Sequence, residues 1–351
     1  MPHGQIVLGP PGSGKTTYCR GVSQFSRLTG RPCVVLNLDP GAERAPNVFG
    51  EEEHSLAYDV AADCCSVANV MKEFKLGPNG ALLYCMDYIL ENLAEHIIPG
   101  IKKGILASHN GLQADLAAKA GKGAPKPSTW EELQDVYVVL DFPGQVELYT
   151  HSTVTRSIIE LLTIPAHKGG ALALQLACVN VVDSLSCLTP NTYLSTILVS
   201  LQSMINIQLP CVNVMSKMDL LKPHIDNGEL DLPLDFYLDA RDLDYLLQFM
   251  GGGGGGGGAR GGSRRERLAS SIAELVEDFS MLRYRPLDVC DGDSLAAVIQ
   301  DVDDASGYVF RGEAGDGVEK MVRTVREAEG RELVEKFMGG AFAESISELD
   351  T

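Results

Sequence analysis

The sequence has few basic residues, and it also lacks long apolar runs and Cys-x-x-Cys pairs. Its 351 residues include 47 acidic but only 29 basic side chains, which gives a formal net charge of -18 at pH 7. A nucleic-acid-binding surface needs a basic footprint that replaces the counterions of the phosphates. We therefore expect no direct binding to DNA or RNA.

No stretch of the sequence is apolar enough to predict a membrane span. The most apolar stretch runs from Ala171 to Cys187, and Gln175, Asn180 and Asp183 interrupt it. A membrane-spanning helix needs about 20 consecutive, predominantly apolar residues. We therefore expect no membrane interaction.

The nine cysteines form no Cys-x-x-Cys pair, and most of them lie in apolar runs. This arrangement is typical of reduced thiols and argues against a disulfide framework or a zinc site. The first motif described below begins at Gly9, so we expect no signal peptide before it. We expect a cytosolic or nuclear protein.

Apolar segments alternate with helix-like segments along most of the chain. Six short apolar runs are predicted to be buried strands: Gln5–Leu8, Cys33–Leu38, Asp135–Leu140, Leu176–Val182, Cys211–Met215 and Arg285–Val289. The main helix-like stretches are Gly14–Arg27, Val67–Lys75, Leu82–Leu93, Val146–Leu162, Asn191–Ile205, Leu268–Phe279 and Ser294–Ala305. Because continuous apolar strands separated by helices form parallel sheets covered on both faces, we predict a doubly wound α/β fold with a mostly parallel sheet.

One domain is predicted over residues 4–312, with three insertions. Residues 41–58 are polar, residues 100–128 are rich in Gly, Ala, Lys and Pro, and residues 251–262 include eight consecutive glycines. Glycine-rich chain behaves as a flexible coil, so we expect flexible insertions, with a loop or weak helix at 100–128. Residues 313–351 are predicted to form a charged tail, partly helical and partly disordered.

The first chemical motif is Gly9-Pro10-Pro11-Gly12-Ser13-Gly14-Lys15-Thr16, a phosphate-loop pattern between a strand and a helix. Such a loop lets the backbone N–H groups around Gly12, Ser13 and Gly14 converge on phosphate oxygens at a helix N-terminus. We expect Lys15 to contact the β- and γ-phosphates, Thr16 to bind Mg²⁺ and Thr17 to contact the α-phosphate. The motif alone does not distinguish ATP from GTP.

The second motif, Asp141-Phe142-Pro143-Gly144-Gln145, follows the third predicted strand. An acidic residue at a strand end beside a phosphate loop is placed to hold Mg²⁺, directly or through water. Gly144 can donate its N–H to the γ-phosphate, and Gln145 can orient an attacking water molecule. Glu147 follows and could assist. Taken alone, Asp141 could instead cap a helix or a turn.

Asp39 closes the second predicted strand in Asn37-Leu38-Asp39-Pro40, 24 residues after Lys15. This places it at the carboxyl edge of the sheet, where ligands bind in open α/β folds. We interpret Asp39 as a residue that positions water or is linked to Mg²⁺. A simple capping role is the alternative.

The third motif, Ser216-Lys217-Met218-Asp219, resembles the guanine-recognition pattern Asn-Lys-x-Asp, with Ser in place of Asn. Guanine presents two neighbouring N–H donors, and the carboxylate of Asp219 can accept both. Adenine would leave that carboxylate unpaired. The stem of Lys217 can pack over the base, and Arg285-Pro286-Leu287 is a weaker candidate for the loop behind it. The three motifs in this order predict GTP binding and hydrolysis.

The segment Gly77-Pro78-Asn79-Gly80 lies between two helix-like stretches, and by itself it predicts an ordinary turn. The longer segment Lys75–Tyr88, together with the motifs above, resembles the GPN-loop GTPases, and it looks most like one eukaryotic branch of that family. The resemblance covers residues 4 to about 311. It implies a P-loop NTPase fold of the SIMIBI type.

The resemblance also implies a dimer, formed with a second copy or with another GPN-loop GTPase. The Gly77–Asn79 loop of one subunit would project into the nucleotide site of the other, where Asn79 would stabilise phosphate or its transition state. Asp39, Gln145 and Glu147 would lie near the attacking water and magnesium. Eukaryotic members assist the assembly or nuclear import of RNA polymerases II and III. The resemblance thus implies such partners and a cytoplasmic protein that also enters the nucleus.

Two other functions remain compatible with the sequence. An ATP-dependent kinase would carry the same phosphate loop and would not need Asp219 to recognise a base. A non-catalytic scaffold could bind nucleotide for structure alone, although Lys15, Thr16, Asp141 and Gln145 argue against this. The leading interpretation is a magnesium-dependent GTPase that acts as a dimeric switch in the assembly of a larger complex.

Overall fold

The computed structural model describes residues 2–29, 31–42, 56–119, 129–130, 133, 136–165, 168, 170, 172–240, 243, 245–246, 270–276 and 282–308. Seven strands lie within them: β1 His3–Leu8, β2 Cys33–Asn37, β3 Tyr58–Asp59, β4 Tyr137–Asp141, β5 Gln175–Asp183, β6 Cys211–Ser216 and β7 Tyr284–Pro286. They form one sheet in the order β3-β2-β4-β1-β5-β6-β7. Every pair of neighbours is parallel, which confirms the predicted α/β class.

The helices cover both faces of this sheet. They are α1 Lys15–Leu28, α2 Val60–Asp63, α3 Val67–Phe74, α4 Pro78–Asn92, α5 Ile98–Lys119, α6 Val146–Thr150, α7 Val154–Thr163, α8 Pro190–Ile207, α9 Met218–Asp226, α10 Leu234–Asp239 and α11 Gly292–Ser306. Residues 270–276 are also helical. Along β1, Val7 packs with α1 and α11, whereas Ile6 and Leu8 pack with α4, α5 and α7. This alternation follows from the two-residue period of a strand.

Residues 100–119 are helical, so the helix, one of the two alternatives that the sequence left open within 100–128, is found over this part. A π-helical turn at Leu93–Ile97 joins α4 to α5. The buried side chain of Ile101 packs on the sheet. Gly104 allows the close approach, because a Cβ there would lie 1.7 Å from the carbonyl oxygen of Ala57. Gly100 and Gly104, which belong to the glycine-rich stretch, thus permit tight packing of the helix on residues 57–58.

The Gly77–Gly80 segment is the start of a helix and not a free turn, which corrects the interpretation of that segment in isolation. Gly77 is the extended N-cap residue of α4, and Pro78 occupies the first helical turn. Proline is favoured there because its fixed φ suits a helix and its missing N–H would have had no intrahelical partner. The segment therefore lies at the exposed end of a helix.

Several predicted boundaries shift. The stretch 146–162 is divided into α6 and α7, and the last strand ends at Pro286 rather than Val289. The glycine run at 251–262, residues 43–55, residues 120–128 and the tail at 313–351 lie outside the described residues. In the part of the chain that is described, no helix is long and apolar enough to cross a bilayer.

Candidate functional site

The predicted motifs meet at one edge of the sheet. The phosphate loop follows β1, Asp39 follows β2, Asp141 ends β4 and Ser216 ends β6. Because the strands are parallel, their carboxyl ends share this edge. β1 lies between β4 and β5. The strands β2 to β4 lie on one side of it, and the later strands β5 to β7 lie on the other side. Open α/β sheets bind ligands at such a switch point.

The phosphate loop places Lys15 at its centre. Gly12 and Gly14 have φ values of +76° and +92°, a region that residues with a Cβ avoid. Such backbone turns let successive N–H groups form an anion-binding concavity. Lys15 begins α1, and its ammonium donates to the carbonyl oxygens of Gly9 at 3.1 Å and Pro10 at 3.0 Å. The loop is thus arranged to present a cation and backbone donors.

Thr16 and Asp141 supply oxygen ligands beside Lys15. The Thr16 hydroxyl donates to Oδ2 of Asp141 at 2.8 Å. The other carboxylate oxygen, Oδ1, is buried and accepts no hydrogen bond from the described residues. Burial lowers the pKa of Lys15, whereas the charges of Asp141 and Asp39 raise it. The oxygens of Thr16 and Asp141 are suited to a divalent ion such as Mg²⁺, and the neighbouring Lys15 is suited to the phosphate groups that such an ion accompanies.

Asp39 is fixed by its own loop. Its N–H donates to Oδ1 of Asn37 at 2.9 Å, and its Oδ1 accepts the N–H of Gly41 at 2.8 Å. Asn37 also donates to Asp59 of β3 at 2.8 Å. Burial raises the pKa of Asp39, while the Gly41 N–H and the charge of Lys15 lower it. Asp39 is therefore both a turn-capping residue and a carboxylate within electrostatic reach of Lys15.

The loop after β4 packs closely on the phosphate loop at Gly144. A Cβ at this position would lie 2.5 Å from Nζ of Lys15 and 3.1 Å from Cα of Pro11. Only glycine fits this space without displacing the Pro11 backbone. The N–H of Gly144 is therefore next to the place where Lys15 would meet a phosphate.

Gln145 contacts the Gly77–Asn79 loop of its own chain. Its side-chain nitrogen donates to Oδ1 of Asn79 at 3.1 Å. Glu147 is exposed in the first turn of α6. Among the described residues, no hydrogen bond or ion pair joins its side chain to the phosphate loop. The structure thus brings Asn79 and Gln145 together and leaves Glu147 at the surface.

Ser216 joins the base-recognition motif to the phosphate loop. Its buried hydroxyl lies 2.6 Å from the carbonyl oxygen of Ser13 and 2.9 Å from that of Val182. A hydroxyl can donate to either acceptor. The usual pattern has asparagine at this position. Ser216 nevertheless connects the loop that would bind the phosphates to the loop that would bind the base.

Asp219 is exposed in the first turn of α9, beside the loop that follows β7. Burial raises the pKa values of Asp288 and Cys290 in that loop, and the charge of Asp219 raises them further. The loop is held by the Met218 N–H, which donates to the carbonyl oxygen of Leu287 at 3.3 Å. Arg285, part of the weaker sequence candidate, instead pairs with Asp301.

Comparison with known proteins decides the family. A family model described as "Conserved hypothetical ATP binding protein" matches residues 7–308. The GPN-loop GTPase 2 homolog of Dictyostelium discoideum is 36% identical over 310 residues, which cover 88% of this chain and 81% of that protein. GPN-loop GTPase QQT1 of Arabidopsis thaliana is 34% identical over 312 residues, which cover 89% and 87%. The chain belongs to the GPN-loop GTPase family.

A solved structure agrees with this assignment at the level of fold. The apo form of a GTPase from Pyrococcus abyssi superposes with a TM-score of 0.54, covers 86% of this chain and 97% of its own, and is 19% identical. Family membership confirms the predicted P-loop protein that binds and hydrolyses GTP. The Gly77–Asn79 segment is the loop that gives the family its name.

One residue of this GPN-loop GTPase site was not predicted from the sequence. Asp183 ends β5, and its Oδ2 lies 2.7 Å from Nζ of Lys217. The sequence shows Asp183 only as a polar interruption in an apolar run. The available signal was its position at a strand end, because Asp141 and Ser216 occupy the ends of the other central strands.

Asp141 makes the stability of the metal-free and nucleotide-free protein depend on pH. Burial raises the pKa of Asp141 to about 6, although the Thr16 hydroxyl and the charge of Lys15 lower it. In the unfolded chain the pKa of an aspartate is about 4. Between about pH 4 and pH 6 the folded protein therefore binds more protons than the unfolded chain. Its stability consequently falls as the pH rises through this window.

We expect Asp141→Asn to raise the free energy of unfolding by about 3 kcal/mol at pH 8 in the absence of metal and nucleotide, since two pKa units correspond to roughly that energy. At pH 4 the variant and the wild type should be nearly equal. Urea denaturation at both pH values measures the difference, with Asp219→Asn as an exposed control. A variant that is less stable than the wild type at pH 8 would contradict the expectation.

Proposed function

We propose that this GPN-loop GTPase is a magnesium-dependent switch that hydrolyses GTP as a dimer and reads guanine through Asp219. The observation that carries the proposal is the Ser216–Ser13 hydrogen bond, 2.6 Å long. It joins the loop with the guanine-recognition pattern to a complete phosphate loop. A single nucleotide could therefore contact both loops.

The ligand set around Asp141 supports the magnesium requirement. Thr16 offers a hydroxyl and Asp141 a buried carboxylate oxygen without a donor among the described residues. Asp39 adds a second carboxylate, through water or directly. The described residues hold no group of three or more His, Cys, Asp or Glu side chains suited to a metal ion. This fits a magnesium ion that takes one or two carboxylates and completes its shell with a hydroxyl, phosphate and water.

The chemistry of phosphoryl transfer asks the protein for positioning and charge stabilisation. Lys15 would stabilise charge on the β- and γ-phosphates, and Gly144 would donate its N–H to the γ-phosphate. Gln145 would orient the attacking water, with Asp39 and Glu147 as the nearby carboxylates. A magnesium ion at Thr16 and Asp141 would neutralise charge on the phosphate oxygens.

An exposed apolar surface supports the dimer. Phe74 at the end of α3 contacts Tyr84 of α4, with ring centroids 5.0 Å apart. Five large apolar side chains in this region are between 37 and 49% exposed: Phe74, Leu76, Leu83, Tyr84 and Tyr88. Contiguous exposed apolar surface marks interaction sites. The patch flanks the Gly77–Asn79 loop, so a second subunit bound here would lie next to Asn79.

We expect Tyr84→Glu to weaken dimerisation by about 30-fold or more, the effect of a central interface residue. The charge would have to be buried in the apolar contact. Sedimentation over a range of concentrations measures the dimer, and GTP turnover per subunit should fall with it if Asn79 acts on the neighbouring site. Leu275→Glu, at another exposed apolar position, is the control. An unchanged dimer would place the interface elsewhere.

We further propose that the protein assists the assembly or nuclear import of RNA polymerase II or III and moves between cytoplasm and nucleus. The support is the resemblance to eukaryotic family members. The acidic charge of -18 suits a protein partner better than nucleic acid. Depletion of the protein should then leave polymerase subunits in the cytoplasm. An unchanged distribution would count against this role.

Guanine recognition is tested by competition between GDP and ADP. We expect GDP to bind the wild type at least about 100-fold more tightly, which corresponds to roughly 2.7 kcal/mol. Asp219→Asn should abolish most of this preference, because one of the two acceptor oxygens becomes an NH₂ donor that would face a guanine N–H donor. Equilibrium titration with Mg²⁺ present measures both affinities.

The competing function, an ATP-dependent kinase, is separated by the same measurement. The description of the matching family model names ATP, so the alternative has an observation in its favour. If ADP competes equally with GDP, and Asp219→Asn changes neither affinity, the Ser216–Asp219 motif is only a turn. A phosphate acceptor would then have to be sought.

A further inference from the structure

Lys217 has a backbone conformation that its side chain does not favour. Its φ of +59° and ψ of +39° lie in the left-handed region, which is costly for residues with a Cβ. Two contacts hold it there. The hydroxyl of Ser184 donates to the Lys217 carbonyl oxygen at 2.9 Å, and Nζ of Lys217 lies 2.7 Å from Oδ2 of Asp183. Both contacts come from the end of β5 and the turn that follows it.

Asp183 uses both of its carboxylate oxygens. While Oδ2 pairs with Lys217, Oδ1 accepts the N–H of Leu185 at 3.0 Å. The backbone of Asp183 is fixed as well, because it lies opposite Ser216 in the β5–β6 register. The side chains of Lys217 and Asp183 are 31% and 33% exposed. The carboxylate is therefore held rigidly at the edge of the nucleotide site.

We propose that Asp183 is a positioning residue for base recognition. By holding the ammonium of Lys217, it sets the direction of the lysine stem that packs on the base plane. It also stabilises the left-handed turn that leads to Asp219 two residues later. This inference rests on the proposed reading of guanine by Asp219. It adds a residue from β5 to a recognition loop otherwise formed by β6 and α9.

The variant Asp183→Asn tests the inference. Asparagine has one acceptor oxygen, so it cannot accept from both Leu185 and Lys217, and its amide nitrogen would face a donor. We expect the Kd for GDP to rise about tenfold, the scale of one charge-assisted hydrogen bond in a partly exposed pair. Affinity for inorganic diphosphate, which has no base, should stay unchanged. Glu160→Gln, which removes the carboxylate of the exposed Arg156–Glu160 pair, should change neither affinity.

A double-mutant cycle shows whether Asp183 acts through Lys217. Lys217→Met keeps most of the stem and removes the charge, so adding Asp183→Asn to it should cause little further loss of GDP affinity. An undiminished tenfold loss in that background would overturn the inference, as would an equal loss for GDP and diphosphate. Both results would leave guanine reading by Asp219 intact. A wild type without preference for GDP over ADP would instead overturn guanine reading and, with it, this inference.

Discussion

Replacement of Lys15 with alanine is expected to lower the rate of GTP hydrolysis at saturating GTP by about 10²–10³-fold, the usual effect of removing one preorganised electrostatic group. The ammonium lies at the centre of the phosphate loop, bonded to the carbonyl oxygens of Gly9 and Pro10. It is buried beside Gly144. Water that filled the vacated space would stabilise developing phosphate charge less well than a fixed cation.

The fold should survive this change. Lys15 is the first residue of α1, where alanine is well tolerated. Release of inorganic phosphate measures turnover, and a thermal melt checks that the protein is folded. Lys103→Ala, at an exposed position of α5, is the matched control and should retain full activity. Turnover within tenfold of the wild type would mean that hydrolysis does not occur at this phosphate loop.

Removal of Asp303 is expected to reduce the free energy of unfolding by about 3–5 kcal/mol, because it would leave the buried charge of Arg31 without a partner. The two groups form a bidentate pair with both N–O distances at 2.9 Å. Their side chains are only 4% and 6% exposed. The guanidinium also stacks on the rings of Tyr137, at 3.9 Å, and Tyr308, at 4.3 Å. This cluster joins α11 to the connection between α1 and β2 and to β4.

The same helix provides the control for Asp303→Ala. Asp301 also forms a bidentate pair, with Arg285, but the side chains of that pair are 30% and 43% exposed. Asp301→Ala should therefore cost about 1 kcal/mol or less. The change in helix propensity is identical, so the difference between the two urea denaturation midpoints isolates the effect of burial. Equal losses of stability for both variants would contradict the expectation that the buried pair contributes more.

Much of the fold follows from local patterns. Apolar runs of four to seven residues identified the central strands to within one or two residues, because a strand covered on both faces must be apolar throughout. The edge strand β3, with two residues, gave no such pattern and was missed. For residues 100–128 the sequence left a loop and a weak helix open. The helix found over 100–119 packs closely at Gly104 on the Ala57 backbone, a contact that the local pattern does not show.

The functional site also has a part that the sequence predicted and a part that it did not. The sequence by itself determined the phosphate loop, the acidic strand end at Asp141 and the Ser216–Asp219 motif, because each function needs particular residue types within a few positions of one another. Only the tertiary structure decided that Asp183 pairs with Lys217, that Gln145 meets Asn79 and that Arg31 pairs with Asp303. These partners are 34, 66 and 272 residues apart. No local pattern encodes such contacts, because they exist only once the parallel strands bring their ends to a common edge and α11 packs against α1.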